Sequence, residues 1–365
     1  MAEFKKVAII HYWLVSNRGG EKVLEALCEL YPEADIFTHV YNEDEFLDSP
    51  ISKHKIFETF IAKLPFSKKA YKNYLPLMPI ALEQLDLSGY DLVISSESGP
   101  AKGIIPHPGQ VHVCYCHSPM RYVWDLYFSY KDKAGFIKRA LMAPLCHYIR
   151  RWDQLTSMNV SHFIANSGFV GSRIKGCYNR DSKVIHPPVD FDSFQLSEKD
   201  PEDFYLVLGQ LVPYKNTSLA IEAFNESGRT LKVVGEGEEL AYLKSISGEN
   251  IELLGRLSFP EIKVLLSSCK ALVFPGVEDF GIVPLEAMAS GRPVIALKQG
   301  GALETVKEGV SGMFFDDATV LSLNQSIDEF EENIDSFKPD TIRRYSERFS
   351  KEEFKRKLSD YLSDL

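Results

Sequence analysis

Two glutamates with seven residues between them, Glu278 and Glu286, have the most informative spacing in this chain of 365 residues. Pro284 suits the first turn of a helix, and Gly291 suits its end. We therefore expect Glu286 inside that helix and Glu278 in the preceding loop. The backbone N–H groups of residues 280–283 would lie between the two carboxylates, at a helix N-terminus that can bind phosphate. Two acids beside a phosphate site suggest that the acids bind hydroxyl groups, so the spacing indicates a nucleotide sugar.

A loop earlier in the second half of the chain supplies a cation for such a site. A predicted strand at residues 205–208 is followed by a loop that contains Gln210 and ends near Lys215. An ammonium group at that position offsets the charge of a diphosphate without a metal ion. We predict no metal site, because the D-x-D pattern of Asp190 and Asp192 lies at a domain linker, where aspartate suits a turn.

The first half of the chain begins with a strand, a glycine turn and a helix. Residues 6–11 are apolar and β-branched, a glycine pair ends at Gly20, and residues 21–31 are amphipathic. Glycine lets backbone N–H groups approach a phosphate, although a plain tight turn fits the pattern equally well. His117 directly follows a predicted strand at residues 111–116, at the end where parallel sheets bind ligands. It would donate to a sugar hydroxyl or support an oxyanion, and a histidine that caps a turn is the alternative.

Predicted strands alternate with predicted helices along the chain, which favours a doubly wound α/β fold. A length of 365 residues favours two domains over a single core. We place the first domain at residues 1–190 and the second at residues 191–344. Residues 345–365 are predicted to form a final helix.

The composition excludes several classes of protein. The formal net charge of −10 argues against general nucleic-acid binding. The six cysteines show no spacing typical of a zinc site, so we expect buried free thiols. No apolar signal core precedes Lys5, and no window approaches about 20 uninterrupted apolar residues. We therefore expect a cytoplasmic protein, with peripheral contact to the inner face of the cytoplasmic membrane left open.

Two segments of this acidic chain combine basic and aromatic residues. The first spans residues 51–75 and the second spans residues 131–151. Such segments suggest contact with anionic lipid headgroups or with a lipid-linked acceptor. A pair of solvated helices with buried apolar faces is the alternative. The residues concerned in the second segment are Lys131, Lys133, Phe136, Ile137, Lys138, Arg139, Leu141, Met142, Arg150 and Arg151.

The sequence EDFGIVPLEAMASGRPVIA at residues 278–296 resembles the E-x7-E signature of retaining glycosyltransferases of family 4, which have the GT-B fold. Companion motifs follow in the family order, and the resemblance covers nearly the whole chain. HYWLVSNRGGEKVLEAL and CHSPMRYVWD look most like bacterial mannosyltransferases that build O-antigen or exopolysaccharide. The other matching motifs are GQLVPYKN, VVGEGEEL, LGRLS and GGALE, at residues 209–216, 233–240, 254–258 and 300–304.

The resemblance implies two facing Rossmann-like domains, with the donor held mainly by the second domain and a C-terminal helix that crosses back onto the first. It implies that His117 contacts the sugar, that Glu278 lies near the donor sugar and that Lys215 binds the diphosphate. Glu286 would hold the ribose hydroxyl groups. The other donor-binding positions that the resemblance implies are Gly20, Gln210, Arg256, Leu257, Phe280, Gly281, Ile282 and Val283.

One position departs from the family pattern, which has arginine where this chain has Gln210. Glutamine lacks the forked, permanent charge of arginine, so either activity is lower or another arginine occupies that space. The resemblance implies transfer of a hexose, with mannose from GDP-mannose expected, to a lipid-linked or polysaccharide acceptor in bacterial surface glycan synthesis. It implies retention of the anomeric configuration and no cofactor or metal ion. A UDP-sugar-dependent transferase of the same family is one alternative, and a non-catalytic GT-B scaffold that binds lipid or a partner enzyme is the other.

Overall fold

The computed structural model describes the chain at residues 4–133, 135–196 and 200–365. Within this part of the chain, no helix is both long and apolar enough to cross a membrane. The chain divides into two compact units, which are residues 1–188 with 354–365 and residues 189–353.

The first unit is built on a sheet of parallel strands. These strands are β1 Val7–His11, β2 Asp35–Thr38, β3 Ile56–Glu58, β4 Leu92–Glu97, β5 Val111–Cys116, β6 His162–Ala165 and β7 Ser182–Val184. Their order across the sheet is β3-β2-β1-β4-β5-β6-β7. The helices that connect them are α1 Gly19–Leu30, α2 Ser67–Ala70, α3 Met78–Glu83, α4 Tyr127–Lys133, α5 Phe136–Thr156 and α6 Gly168–Tyr178.

The second unit repeats this plan with six parallel strands. They are β8 Tyr205–Leu208, β9 Leu231–Val234, β10 Ile251–Gly255, β11 Leu272–Phe274, β12 Val294–Leu297 and β13 Gly312–Phe315, in the order β10-β9-β8-β11-β12-β13. The helices are α7 Thr217–Ser227, α8 Leu240–Ile246, α9 Phe259–Ser268, α10 Ile282–Ala289, α11 Ala302–Thr305, α12 Val320–Glu332 and α13 Pro339–Ser346. Two parallel sheets with connecting helices confirm the predicted α/β class.

The end of the chain differs from the single helix predicted over residues 345–365. Helix α13 ends at Ser346, a short 3-10 turn follows, and a new helix, α14, spans Lys351–Ser363. The break lies at Ser350, whose extended backbone stops the preceding turn and whose Oγ accepts a hydrogen bond from the Glu353 N–H at 3.2 Å. A serine that caps a helix N-terminus in this way starts a separate helix. Residues 354–365 belong to the first unit, and the buried side chains of α14 join the core around β1 and β4.

In both sheets, the order in which the chain adds strands reverses between two central strands. In the first sheet these strands are β1 and β4, and in the second they are β8 and β11. Strand β1 is buried along its whole length, as a central parallel strand covered on both faces must be. Crevices at such switch points, beyond the carboxyl ends of the strands, are where open α/β sheets bind ligands. The fold therefore offers one candidate ligand site in each unit.

The two basic–aromatic segments adopt different structures. Residues 51–75 form short 3-10 turns around β3 and α2, instead of the solvated helix of the alternative interpretation. Residues 136–151 lie in the long helix α5. Arg150 of that helix donates to the Val123 carbonyl at 2.8 Å, so its role is structural. The side chains of Lys133, Ile137 and Lys138 lie outside the described part of the structure.

Candidate active site

A narrow crevice lies at the carboxyl ends of β8 and β11, at the switch point of the second sheet. Gly209 and Gln210 line it from the loop after β8, and Pro275 and Gly276 line it from the loop after β11. Lys215 also lines this crevice. Its position matches the place where α/β sheets bind ligands, so we take it as the candidate ligand site of the second unit.

An ion pair between Lys215 Nζ and Glu278 Oε1 lies at this crevice. The two side chains are 17% and 20% exposed, so a ligand can reach both. Lys215 ends a 3-10 turn, and its backbone lies directly against Gly276. A Cβ atom at Gly276 would be only 2.6 Å from Lys215 Cα, so a larger residue there would displace the lysine. The fold thus brings together two predicted side chains that are 63 residues apart in the sequence.

The N-terminus of helix α10 lies beside the same crevice. The preceding residue, Gly281, has a φ of 86°, and a Cβ atom there would be 3.1 Å from the ring of Phe274, which lines the crevice. Gly281 is the N-cap residue of this helix and has no side chain with which to cap it. Pro284 lies in its first turn, and Gly291 follows its end with a φ of 76°, as predicted. The free N–H groups and the dipole of such a helix end attract an anion.

The loop between the ion pair and α10 is held by a second glycine turn. The Gly301 N–H donates to the Glu278 carbonyl at 2.9 Å. A Cβ atom at Gly301 would be 2.4 Å from Phe280 Cα, so the two backbone segments touch. The Phe280 side chain is buried, and its ring lies 5.8 Å from that of Phe349. The Phe280 ring is therefore part of the core of the second unit and does not face a ligand.

Other predicted donor-binding residues lie outside the crevice lining. Arg256 and Leu257 follow β10, which lies at the sheet edge two strands away from β8, or roughly 10 Å. Arg256 is exposed, whereas Leu257 packs against the core of the second unit. Glu286 is half-buried within α10. A nucleotide that reached both Lys215 and Arg256 would have to extend across the ends of β8, β9 and β10.

Gln210, the position that departs from the family pattern, lines the crevice beside Lys215. Its side chain is exposed. Among the described residues that line the crevice there is no arginine, so Lys215 provides the positive charge there. The alternative in which another arginine occupies the space gains no support from this lining.

In the first unit, Gly20 and His117 lie together at the carboxyl end of the sheet. Gly20 is in the first turn of α1, and His117 directly follows β5. A Cβ atom at Gly20 would be 2.5 Å from the hydroxyl of Tyr12 and 3.7 Å from His117 Nε2. A Cβ atom at Gly20 would therefore crowd the tyrosine hydroxyl, while it would lie at ordinary contact distance from the histidine.

His117 is held by both its backbone and its ring. Its N–H donates to the Glu97 carbonyl at 2.8 Å, and its Nε2 lies 2.8 Å from Ser96 Oγ. Burial, and next the charge of the neighbouring His11, lower the pKa of His117 to about 3. The imidazole is therefore neutral at physiological pH, which suits hydrogen bonding to a hydroxyl group better than binding of an anion.

Sequence reasoning missed the polar residues that support His117. Ser96 Oγ also lies 3.0 Å from His11 Nδ1, and His11 Nε2 lies 3.6 Å from Glu21 Oε1. His11 and Ser96 are paired in register at the ends of β1 and β4. The available signal was a buried apolar strand that ends in histidine, but its partner becomes visible only when β1 and β4 are known to be neighbours.

A buried charge cluster adjoins this site. Lys102 Nζ donates to Glu97 Oε1 at 2.7 Å and also pairs with Asp153. Asp153 Oδ2 accepts from the Tyr178 hydroxyl at 2.9 Å and from Trp124 Nε1 at 2.8 Å. The three charged side chains are fully buried. The cluster ties the end of β4 to helices α5 and α6. Asp153 lies 51 residues after Lys102, too far along the sequence for spacing to reveal the cluster.

Among the described residues, no group of three or more His, Cys, Asp or Glu side chains is arranged to hold a metal ion. Asp190 and Asp192 of the D-x-D pattern are both exposed. Asp190 accepts a hydrogen bond from Ser193 Oγ at 2.7 Å, in the 3-10 turn at Phe191–Ser193. Asp190 therefore stabilises a turn.

Solved structures share the architecture of the whole chain. Anabaena Alr3699/HepE in complex with UDP and glucose superposes with a TM-score of 0.73 at 18% identity, covering 98% of this chain and 99% of that one. WaaG, a glycosyltransferase involved in lipopolysaccharide biosynthesis, gives a TM-score of 0.70 at 16% identity, covering 97% and 99%. Identity at this level shows the fold, which is GT-B with two Rossmann-like domains.

Curated relatives match part of the chain. An uncharacterized glycosyltransferase of Methanocaldococcus jannaschii is 33% identical over 225 residues, which are 59% of this chain and 64% of that protein. The human alpha-1,3/1,6-mannosyltransferase ALG2 is 27% identical over 292 residues, covering 69% and 67%. The O-antigen chain mannosyltransferase RfbU of Salmonella typhimurium is 31% identical over 160 residues, covering 40% and 45%. The chain thus spans about two thirds or less of the length of these relatives.

Two family models together match the chain from residue 17 to residue 351. The model described as Glycosyltransferase Family 4 matches residues 17–193, and the model described as Glycosyl transferases group 1 matches residues 188–351. The first covers the unit with Gly20 and His117, and the second covers the unit with the Lys215–Glu278 pair. With the E-x7-E spacing and the GT-B fold, these matches show that the chain belongs to glycosyltransferase family 4.

Proposed function

We propose that this chain is a retaining mannosyltransferase, which moves mannose from GDP-mannose to a hydroxyl group of a lipid-linked or polysaccharide acceptor in bacterial surface glycan synthesis. Support for the mannosyl group comes from ALG2 and RfbU, which are mannosyltransferases. The observation that carries the proposal is the Lys215–Glu278 pair at the crevice beside the N-terminus of α10. A fixed cation and a helix N-terminus are the two groups that stabilise a departing diphosphate.

The geometry suggests how binding and catalysis are connected. The donor diphosphate would replace Glu278 as the partner of Lys215, because both anions compete for the same ammonium group. As the bond between the sugar and the phosphate breaks, Lys215 and the N–H groups of α10 stabilise the charge that develops on the diphosphate. Glu278, released from the lysine, is then placed to bind the sugar. We propose that no metal ion or cofactor takes part.

Retention follows from attack on the same face that the leaving group occupies. The acceptor hydroxyl forms the new bond to the anomeric carbon as the bond to the diphosphate breaks, and the departing phosphate oxygen takes the hydroxyl proton. In this scheme Glu278 orients the sugar through hydrogen bonds and forms no covalent bond. Such catalysis depends on preorganised charge and on exclusion of water.

A thermal-shift comparison of GDP, UDP and ADP tests the donor site. A ligand that binds only the folded state at about 100 times its Kd adds ~2.7 kcal/mol to the free energy of unfolding. We expect GDP to raise the unfolding temperature by several degrees and UDP and ADP to raise it little. Lys215→Met should abolish the GDP shift, whereas Lys244→Met, at an exposed position of α8, should leave it intact.

Two results would contradict the proposal in different ways. Stabilisation by UDP alone would favour a UDP-sugar donor, a possibility supported by the UDP-bound structural neighbour. Binding of GDP without release of GDP from GDP-mannose, tested across lipid-linked saccharide acceptors, would favour a non-catalytic scaffold.

We also propose that the first unit contacts the surface of the cytoplasmic membrane. Phe66 is 81% exposed, and its neighbours Lys63, Lys68 and Lys69 are exposed as well. At the start of α5, Phe136 is 88% exposed. Aromatic side chains among lysines match the chemistry of an anionic lipid surface, where a lipid-linked acceptor would be found.

A further inference from the structure

A chain of polar contacts leads from helix α1 to the ring of His117. Glu21 Oε1 lies 3.6 Å from His11 Nε2, His11 Nδ1 lies 3.0 Å from Ser96 Oγ, and Ser96 Oγ lies 2.8 Å from His117 Nε2. The first three residues are buried, with at most 3% of their surface exposed. We call Glu21, His11 and Ser96 the relay. None of the three has a role in the proposed reaction.

The single proton of the Ser96 hydroxyl gives the relay a direction. Two imidazole nitrogens face the same hydroxyl oxygen, and no other described group accepts a hydrogen bond from it. One nitrogen must therefore accept the hydroxyl proton, while the other donates its own N–H to the oxygen. The relay consequently has two arrangements, and each assigns a different tautomer to His117.

Glu21 favours one of these arrangements. Its Oε2 accepts the Arg18 N–H at 2.9 Å as part of the capping box of α1, so the helix holds the carboxylate in place. A carboxylate only accepts hydrogen bonds, so it favours a proton on the His11 Nε2 that faces it. When this is the only proton on the His11 ring nitrogens, Nδ1 is bare and accepts the Ser96 hydroxyl proton. Ser96 Oγ in turn accepts from His117 Nε2–H.

This arrangement leaves the second ring nitrogen of His117 as a hydrogen-bond acceptor. Within the described part of the chain, His117 Nδ1 has no hydrogen-bond partner. The residue is half-buried, so part of its surface remains accessible to a ligand. The low pKa of His117 keeps the ring neutral, so the lone pair on Nδ1 is available. A bare imidazole nitrogen accepts a hydrogen bond from a hydroxyl group, and it repels a phosphate oxygen.

We propose that Glu21, His11 and Ser96 are positioning residues that hold His117 in the Nε2–H tautomer, so that its Nδ1 accepts a hydrogen bond from a sugar hydroxyl group. The tautomer follows from the contacts within the first unit. The sugar hydroxyl rests on the proposed function. The two parts are therefore tested separately.

The tautomer is read directly from two-bond ¹H–¹⁵N correlation spectra of the full-length protein labelled with ¹⁵N-histidine. The His117 signals are assigned by their loss in His117→Gln. We expect the wild-type protein, without any ligand, to show His117 as the Nε2–H tautomer. A predominant Nδ1–H tautomer would overturn the proposal, because it would mean that His11 Nδ1 donates to Ser96 Oγ and that the Ser96 hydroxyl donates to His117 Nε2.

Variants test whether the relay sets this tautomer. Ser96→Ala should replace the single tautomer of His117 by an averaged signal, and Ser96→Thr, which keeps the hydroxyl, should restore it. Glu21→Gln should also shift the His117 signals, although Glu21 contacts only His11 of the two histidines. The matched control is Ser95→Ala: Ser95 Oγ lies 2.9 Å from His112 Nε2, so this change should move the signals of His112 and leave those of His117 unchanged.

Enzyme kinetics test whether His117 Nδ1 accepts a hydrogen bond from a sugar hydroxyl group. With the donor and acceptor established, Ser96→Ala should lower kcat by about tenfold, roughly the effect of losing one transition-state hydrogen bond, with little change in KM. Ser96→Thr should recover most of this loss. Unchanged His117 signals in folded Ser96→Ala would overturn the relay. If the protein shows the predicted tautomer but transfers no sugar, the proposed function is refuted, while the role of the relay in setting the His117 tautomer is supported.

Discussion

Lys215 and Glu278 form an ion pair at the crevice of the second unit. Both side chains are only about one fifth exposed, so the cost of removing the two charges from water offsets much of their attraction. The importance of the ion pair is chemical, because the Glu278 carboxylate binds the same ammonium group that a diphosphate would bind. Glu278 thus has two opposed effects, since it competes with the diphosphate and is placed to orient the sugar.

Replacing Glu278 by glutamine separates these two effects. Glutamine keeps the shape of the side chain and removes the charge, so Lys215 becomes fully available to a diphosphate. We expect Glu278→Gln to bind GDP several-fold more tightly in isothermal titration calorimetry, while its initial rate of mannosyl transfer falls by about tenfold or more.

The matched control is Glu252→Gln, at an exposed position of β10, which should change neither quantity. Equal GDP affinity in Glu278→Gln and wild type would show that the carboxylate does not compete with the diphosphate. A transfer rate within a few-fold of wild type would remove Glu278 from its proposed role.

The elements around the crevice were largely predictable, because local rules determine them. Pro284 and Gly291 mark the bounds of α10, and the apolar run at residues 205–208 forms β8 as expected. The final helix is present, but its predicted start at residue 345 was wrong: the helix begins at Lys351, because the Ser350 cap depends on one side-chain hydrogen bond. Element type follows from periodicity, but an element boundary depends on individual contacts.

The exposed aromatic residues of the first unit give an element-scale prediction. We expect the full-length protein to co-sediment with vesicles that contain phosphatidylglycerol and not with vesicles of phosphatidylcholine alone. Phe66 has a φ of 54°, which asparagine tolerates, so Phe66→Asn removes the aromatic ring with little backbone strain. Combined with Phe136→Ala, it should weaken vesicle binding by about tenfold or more, since a buried phenylalanine is worth ~1.5–3 kcal/mol.

Phe259→Asn serves as the control for this experiment. Phe259 is an exposed aromatic residue at the start of α9 in the second unit, where no basic–aromatic segment was predicted. Its replacement should leave vesicle binding unchanged. Binding that is equal for both lipid compositions, or unaffected by the double variant, would contradict membrane contact through these segments.

At the scale of the whole molecule, His39 and His112 act together with His117, whose pKa is also lowered, to make stability depend on pH. His112 donates to the Asn159 carbonyl from one nitrogen and accepts from Ser95 at the other, an arrangement that only the neutral ring allows. Burial lowers the pKa of His39 and of His112 to about 4. Burial raises the pKa of Glu97 to about 7, which acts in the opposite direction.

The unfolding midpoint in urea should fall as the pH drops from 6.5 to 4. Between these values the unfolded chain binds protons on its histidines that the folded chain excludes, so protonation favours unfolding. One unit of pKa shift corresponds to about 1.4 kcal/mol, so each histidine contributes on the order of 2–3 kcal/mol. Glu97 binds a proton more tightly in the folded protein than in the unfolded chain. This stabilises the fold at low pH and offsets the contribution of about one histidine. A net loss of a few kcal/mol remains.

Circular dichroism across this pH range measures the effect. His112→Gln, which can still donate to Asn159 and accept from Ser95, should show a smaller loss of stability between pH 6.5 and 4 than the wild type. His147→Gln, at an exposed position of α5, should follow the wild-type curve. Identical pH dependence in all three proteins would show that His112 does not couple stability to pH.

The sequence by itself determined the features that depend on near neighbours along the chain. The alternation of strands and helices, the glycine turns, and the positions of Glu278 and Glu286 relative to α10 all follow from periodicity and from glycine and proline placement. Family membership was also predictable, because its motifs are contiguous. The residue roles that the resemblance implies, including those of Arg256 and Glu286, stay predictions.

Only the tertiary structure decided which distant side chains meet. Lys215 reaches Glu278 because β8 and β11 are neighbours in the second sheet, although two strands separate them in the sequence. His11 meets Ser96 because β1 pairs with β4 in a register that places both residues at the same level. Strand order and register arise from the packing of the whole core, and a shift of one residue would turn each side chain to the opposite face of the sheet. The ion pair and the relay are therefore products of the sheet topology.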